Sequence, residues 1–185
     1  MIGIVATNWW RLKSDNEAKI TAKSLKLKLK AALNKGKQIA GIICCGGTTI
    51  NFNCEDTVMI NTVVDQFVVD NKLNYSPSLH LDSVIGWLFF SLMNQYEDQL
   101  KIKINNDTIA NKVQMVLKRF QGLSKFDFFG VDFRKNGLCP CSSNFFISKD
   151  RRFMDELGNE TYQYSEQDFQ YVNLGVYRYT LENTR

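Results

Sequence analysis

Lys135 is the residue of this chain whose type and setting most suggest chemistry. It stands in a polar turn at positions 132–137, between the apolar runs Phe126–Val131 and Phe145–Ile147. An amine at the mouth of a buried strand, between apolar walls and water, is a candidate Schiff-base nucleophile. The lysine alone is a weak indication, because most lysines in polar turns are solvated charges.

Two further groups of residues with reactive or hydrogen-bonding side chains lie in or just after predicted strands. In the short predicted strand at positions 77–83, His80 and Asp82 are two residues apart and therefore share one face. An acid at the end of an otherwise buried strand is costly unless it has a partner. The apolar run Ile39–Cys45 is followed at once by the sequence GGTT at positions 46–49. Such small, hydroxyl-bearing loops often reach a ligand at the carboxyl end of a parallel sheet.

Helical patterns separate these strands. Leu25, Leu29 and Leu33 recur at helical spacing within Thr21–Asn34, and Gly36 follows the last turn. The alternation KLKLKLK over the same stretch is a competing strand pattern, but the alanines at its end and the glycine favour a helix.

Two more helices are predicted, from Glu55 and Asp56 to about Asp70 and from about Thr108 to Phe120. The charges of Glu55 and Asp56 suit a helix N-terminus. Ile2, Ile4 and Val5 could form an additional strand at the start of the chain.

The order strand, helix, strand, helix, strand predicts an α/β fold with right-handed crossovers and a largely parallel sheet flanked by helices. Because the carboxyl ends of parallel strands lie along one edge, we expect Thr48 and Thr49, Asp82 and Lys135 to gather there.

Composition narrows the classes of protein that fit. The 185 residues are 44% hydrophobic and 12% aromatic, which suits one globular domain rather than a disordered chain. No apolar run is long enough to cross a bilayer and the start shows no cleavable signal pattern, so we expect a cytoplasmic protein without a membrane partner. An odd number of cysteines, five, indicates reduced thiols.

Two binding hypotheses receive little support from the residues. Cys139 and Cys141 resemble half of a zinc site, but the other half is missing, since Cys44 and Cys45 are adjacent and His80 is the single histidine. The net charge is +4, with nine basic residues between Arg11 and Lys37. They alternate with leucines rather than aromatic residues, which favours a solvated helix face over a nucleic-acid site.

Three spaced motifs together resemble the pyridoxal-phosphate-dependent decarboxylases of the aromatic and acidic amino-acid type. Gly47-Thr48-Thr49 followed by Glu55-Asp56 is similar to the family's GTT…D-D motif, and His80-Leu81-Asp82-Ser83 to its H-V-D-A strand. Asp132-Phe133-Arg134-Lys135 is similar to its D-x-H-K turn. The flanking sequences DSVIGW, FDFFGVDF and SSNFFISKD agree, as does YTLENTR at the end. The resemblance covers about residues 20–185.

The resemblance implies a fold and a set of roles. The fold would be the large domain of the aminotransferase-like fold type I, incomplete, with residues 1–185 as one partial catalytic domain. Lys135 would hold pyridoxal 5'-phosphate as a Schiff base, and Asp82 would pair with the pyridinium nitrogen. Thr49 would hydrogen-bond to the cofactor, Ser83 and Val84 would lie against its ring, and Arg134 would bind its phosphate. His80 would lie one layer behind the residues that touch the cofactor, and the alternative is a strand histidine with a purely structural role.

The implied activity is decarboxylation of an amino acid by a homo-oligomer or by complementing fragments, since family members are far longer and are usually dimers. Two departures bear on it. Arg134 replaces the family's histidine and cannot transfer a proton, and Phe52 replaces a glycine in the GTT loop. A catalytically inactive homologue with a regulatory role is therefore the alternative hypothesis, and a basic nucleic-acid-binding domain is the third.

Overall fold

The computed structural model describes residues 6–16, 19–93, 104–137, 139–141, 143–150 and 152. The predicted strand at Ile2–Val5 and the final YTLENTR motif lie outside these residues. The described helices are α1 (Ala22–Asn34), α2 (Thr57–Asp70) and α3 (Asp107–Phe120). The described strands are β1 (Gly41–Cys45), β2 (Ser78–Asp82), β3 (Phe128–Asp132) and β4 (Asn144–Ser148).

Within this described part, the strands form one sheet in the order β1-β2-β3-β4. β1, β2 and β3 are parallel and β4 is antiparallel. Cys45 pairs with Asp82, and Asp82 with Gly130, so the carboxyl ends of the three parallel strands lie side by side. The predicted α/β architecture and its largely parallel sheet are confirmed.

α1 shows how local sequence settles the ambiguity of the KLKLKLK stretch. The hydroxyl of Thr21 accepts a hydrogen bond from the Ser24 N–H at 3.1 Å, and the Thr21 N–H donates to the Ser24 hydroxyl at 3.2 Å. This reciprocal cap satisfies two backbone donors at the helix start. Leu25 and Leu29 are buried while Leu27 is 60% exposed, which fits a helix, because a strand would place all three leucines on one face.

The start of α2 corrects one expectation. The Asp56 carboxylate caps the helix by accepting from the Met59 N–H at 2.9 Å. Glu55 instead is buried, with 7% of its surface exposed, and its Oε2 accepts from the Ile20 N–H at 3.0 Å. The prediction that Glu55 serves the helix N-terminus is therefore wrong, because its side chain turns back to hold the segment before α1.

The core lies on one face of the sheet, between the strands and the three described helices. Its strand residues alternate along β1 and β2, as the two-residue period of a strand requires. The buried cluster comprises Leu25, Leu29, Ile42, Cys44, Cys54, Ile60, Val63, Val64, Phe67, Leu79, Leu81, Phe120 and Phe126. The opposite face carries Ile43, which is 53% exposed, and Phe146, which is 47% exposed.

A 3-10 helix at Gly86–Leu92 was not predicted from the sequence. It follows β2, and its first residue, Gly86, packs against Gly46 in the loop after β1. A Cβ atom on Gly86 would lie 1.8 Å from the Gly46 carbonyl oxygen, so the backbones can approach this closely only with glycine there. Among the described residues, no helix combines the length and apolar character that crossing a membrane demands.

Candidate functional site

The candidate site lies at the edge where the three parallel strands end. Asp82 is the last residue of β2, and Lys135 lies three residues beyond the end of β3, in a 3-10 turn at Lys135–Gly137. Thr49 lies in the turn after β1. The adjacency predicted for these three chain segments is thus present in the backbone, because β1, β2 and β3 are neighbours with matched ends.

Asp82 and His80 share the face of β2 that points away from the helices. Asp82 is exposed, so the expectation of a carboxylate buried at the strand end is wrong for the described structure. His80 is half-buried and its ring stacks on Phe146, with centroids 5.6 Å apart and an interplanar angle of 16°. Burial lowers the pKa of His80 from its ordinary value, while the nearby Asp82 carboxylate opposes that shift. The histidine is therefore biased towards its neutral form.

Ser83 joins the end of β2 to β3. Its hydroxyl donates to the Gly130 carbonyl at 2.7 Å, and its backbone N–H donates to the same oxygen at 3.1 Å. The residue is completely buried. Val84 and His80 flank Gly130: a Cβ built there would lie 4.0 Å from Val84 Cγ1 and from His80 Cε1. Ser83 fixes the spacing of the two strands, and Gly130 leaves the surface between Val84 and His80 open.

The turn that carries Lys135 is tied to the segment after Asp82. The Asn136 side-chain amide donates to the Ile85 carbonyl at 3.1 Å. Asn136 has a φ of 69°, in the left-handed region that asparagine tolerates better than most residues. Lys135 itself is half-buried. This contact holds the lysine's turn against the chain that leaves β2.

Arg134 is anchored through its backbone more than through its side chain. Its N–H donates to Asp132 Oδ1 at 2.9 Å, whereas its Nη2 lies 3.9 Å from Asp132 Oδ2, and its side chain is 53% exposed. Asp132 is buried, and with the Asn144 amide oriented to satisfy both groups, the amide nitrogen lies 2.9 Å from each carboxylate oxygen. The exposed guanidinium is thus available to an anion.

The loop after β1 places its two threonines differently. The Thr48 hydroxyl accepts from the Asn53 N–H at 2.9 Å, while Thr49 is exposed in the turn. Phe52 has a φ of 49°, in the region that favours glycine, and its ring packs on Phe89 with centroids 5.0 Å apart. The family to which the resemblance points has a glycine at position 52, and a glycine would adopt this φ without strain.

Sequence reasoning missed several residues that shape this edge. The sequence places Asn136 in the polar turn and Asp132 at the start of the Asp132–Lys135 motif, but it predicts no partner for either side chain. The Trp87 indole N–H donates to the Asp132 carbonyl at 2.9 Å and its ring meets Phe133 edge-on at 4.6 Å. Trp87 lies five residues after Asp82 in the sequence, and no local sequence pattern indicates that it contacts Asp132 and Phe133.

Two other kinds of site receive no support in the described residues. No group of three or more histidine, cysteine or acidic residues there could hold a metal ion. A shallow cavity of about 190 Å³ is lined by Lys19, Phe52, Asn53, Cys54, Lys112, Met115, Val116 and Arg119. None of these is a predicted site residue.

Comparison with solved structures shows what the fold is similar to. The chain superposes on Rhodiola rosea 4-hydroxyphenylacetaldehyde synthase with a TM-score of 0.61 and 16% identity over 84% of this chain. Oryza sativa TDC with PLP and tryptamine gives 0.61 and 11% over 92%. Catharanthus roseus tryptophan decarboxylase in complex with L-tryptophan gives 0.59 and 11% over 84%. This is part of the fold type I decarboxylase fold.

The likeness to the decarboxylases has clear bounds. The chain spans 28% of the Rhodiola and Catharanthus proteins and 29% of the Oryza protein. Neither family models nor curated proteins give a match to the sequence. At identities of 11% to 16% the decarboxylase likeness establishes the fold, and residue roles rest on the geometry above.

Proposed function

We propose that this chain is the lysine-bearing part of the catalytic domain of a pyridoxal-phosphate-dependent amino-acid decarboxylase. One observation carries the proposal. Asp82 ends β2 and Lys135 follows the adjacent parallel strand β3 at the same edge, and the Asn136–Ile85 hydrogen bond of 3.1 Å joins their segments. An amine and a carboxylate at the two ends of one ring are what this cofactor needs.

The residues at this edge fit the cofactor chemically. Lys135 is half-buried and would hold the cofactor covalently through its amine. The exposed Asp82 carboxylate would hold a proton on the pyridine nitrogen. Bound pyridoxal phosphate supplies a sink for the electrons that a departing carboxyl group leaves behind.

The remaining predicted residues are proposed to bind and orient the ring. The open surface at Gly130, between Val84 and His80, would lie under its flat face. Arg134, with its exposed guanidinium, would bind the phosphate bidentately. The exposed Thr49 hydroxyl would donate to the cofactor, and Ser83 would act through the strand spacing that it fixes.

A partner is part of the proposal. β1 and β4 form the edges of the described sheet, and the face carrying Ile43 and Phe146 is not packed by the described helices. Parallel sheets are normally covered on both faces. We propose that a second copy or a complementing fragment covers this face, that residues 1–185 act as one partial domain, and that the assembly works in the cytoplasm on an amino acid.

The test is covalent capture of the cofactor. The full chain is incubated with pyridoxal phosphate, reduced with borohydride and digested with trypsin. An adduct at Lys135 blocks cleavage there and yields the modified peptide at positions 135–149, because the preceding cleavage site is Arg134. We expect Lys135→Ala to remove this adduct and Asp82→Asn to reduce it.

The control is Lys30→Ala, which removes an exposed lysine of α1 and should leave the adduct unchanged. Capture spread evenly over surface lysines, with Lys135 no more modified than Lys30, would overturn the assignment.

The second candidate function is a catalytically inactive homologue that acts as a regulatory partner. Arg134 favours it, since a permanently charged guanidinium cannot replace a proton-transferring histidine. This candidate predicts cofactor capture at Lys135 without release of carbon dioxide from any amino acid. Carbon dioxide release by Arg134→His but not by the parent chain would support it.

A further inference from the structure

Two cysteines lie side by side in the turn between Lys135 and β4. Cys139 Sγ and Cys141 Sγ are 3.5 Å apart across Pro140. Cys141 is exposed and Cys139 is half-exposed, so both sulfurs are open to small reagents. The proposed cofactor chemistry uses neither of them.

The two thiols are electrostatically unequal. Hydrogen bonds from the Ser143 side chain, the Cys141 backbone and the Cys141 thiol lower the pKa of Cys139 from its ordinary value. The same thiol pair raises the pKa of Cys141, through its hydrogen bond to Cys139 and the charge there. Of the two thiols, Cys139 therefore ionises more readily and is the better nucleophile, and its thiolate can accept a hydrogen bond from the Cys141 thiol.

The Ser143 hydroxyl has two possible acceptors at this position. It donates to the Cys141 carbonyl at 3.2 Å, and rotation about its C–O bond turns the same proton towards Cys139. A thiolate is the stronger acceptor because it is charged. When Cys139 ionises, the Ser143 hydroxyl can therefore donate a hydrogen bond to its thiolate.

The other three cysteines have different surroundings. Burial raises the pKa of Cys44 to about 12 and that of Cys54 to about 12, and it also raises the pKa of the half-buried Cys45. Cys44 and Cys54 therefore stay protonated and are buried in the core, whereas Cys45 is half-buried and its raised pKa makes it less reactive than an ordinary thiol. The chain therefore contains its own unreactive controls.

We propose that Cys139 and Cys141 form a thiol–disulfide exchange site whose oxidant is a small-molecule disulfide. The Cys139 thiolate attacks one sulfur of the oxidant, which breaks the oxidant's S–S bond and releases one thiolate. Cys141, losing its proton to that thiolate, then attacks Cys139 and displaces the second thiolate, which takes up the proton that Cys139 released on ionisation. The sum is one protein dithiol plus one disulfide giving a protein disulfide and two thiols.

The geometry favours a disulfide between Cys139 and Cys141 that forms and is reduced easily. The sulfurs need to close from 3.5 Å to about 2.05 Å, which is a small movement in an exposed turn. With a single residue between the cysteines the ring is small, and strained or exposed disulfides are readily reduced again. The site suits reversible modification more than structural reinforcement.

The experiment uses the full chain in buffers of reduced and oxidised glutathione, followed by rapid alkylation and trypsin digestion. Both cysteines fall in the peptide at positions 136–149, whereas Cys44, Cys45 and Cys54 fall together in the peptide at positions 38–72. We expect the 136–149 peptide to lose two hydrogens as the buffer becomes oxidising. The 38–72 peptide should stay reduced, with Cys44 and Cys54 alkylated only after denaturation and Cys45 alkylated more slowly than Cys139.

Two variants separate the roles of the cysteines. Cys141→Ser should stop at a glutathione adduct on Cys139, and Cys139→Ser should react about tenfold more slowly. Ser143→Ala should raise the pH at which Cys139 is alkylated, and Ser148→Ala is the matched control. Alkylation of Cys139 no faster than that of Cys45, or no intrapeptide disulfide in any buffer, would overturn the proposal. The cofactor-capture result does not affect this test.

Discussion

The side-chain amide of Asn136 donates to the Ile85 carbonyl at 3.1 Å. Asn136 follows Lys135, and Ile85 lies three residues after Asp82, so this bond joins the two segments on which the proposed function depends. The bond runs between a turn and a loop rather than between strands. Without it, the sheet would still place β2 beside β3, but the turn of the lysine would be held by fewer contacts.

Two substitutions of Asn136 separate the contribution of the Asn136–Ile85 bond from that of the positive φ in the turn. Asn136→Gly loses the bond and adopts the positive φ without strain, whereas Asn136→Ala loses the bond and holds the same φ under strain. We expect Asn136→Ala to lower the free energy of unfolding by about 1 kcal/mol more than Asn136→Gly does, because alanine is strained at positive φ. Both should reduce cofactor capture at Lys135 to a similar extent. Urea unfolding and borohydride capture measure the two effects.

Asn111→Ala is the control for that pair, since Asn111 is exposed on α3. It should change neither quantity. Full capture in Asn136→Gly would show that the Asn136–Ile85 bond does not position the lysine.

Ser83 is predicted to stabilise the sheet through its hydroxyl. Ser83→Ala removes the 2.7 Å bond to Gly130 from a fully buried position, which should cost about 1 kcal/mol in the free energy of unfolding. Ser91→Ala removes an exposed hydroxyl that donates to the Leu88 carbonyl at 2.8 Å and should cost less than about 0.5 kcal/mol. Equal losses in denaturant unfolding would count against the structural role of Ser83.

Glu55 should give the stability a pH dependence. Burial is the largest influence on the Glu55 carboxyl and raises its pKa above the ordinary 4.5, against the Ile20 N–H and Arg119, which lower it. The folded state therefore binds the proton more tightly than the unfolded state. The stability that this provides is present below pH 4.5 and is lost as the pH rises through the folded pKa.

Glu55→Gln tests this dependence while keeping an oxygen that can accept from the Ile20 N–H. The variant should gain stability relative to the parent as the pH rises from 4.5 towards neutral, because only the parent ionises. Urea unfolding of both proteins across that range gives the difference, in which other titrating groups cancel. Asp65→Asn, at an exposed acid, is the control, and a Glu55→Gln difference that stays flat with pH would contradict the prediction.

The sequence by itself determined the three described α-helices, the strands between them and the order of both. Thr21 and Asp56 cap the first two helices through bonds to residues three positions away, so nearby residue types are sufficient to predict where these helices begin. The alternation of strands and helices then restricted the sheet to a largely parallel one. The three motifs fall at the strand ends because those ends are set by local turns.

Only the tertiary structure decided burial and partnership at the site. Asp82 and Ser83 are neighbours in sequence, yet one is exposed and the other completely buried. Exposure depends on what packs against each residue, and the hydrogen-bond partner of the Ser83 hydroxyl is Gly130 of β3, 47 residues away. The Asn136–Ile85 bond spans 51 residues for the same reason. Such pairs arise from how strands and turns assemble, which no pattern in a short window of sequence records.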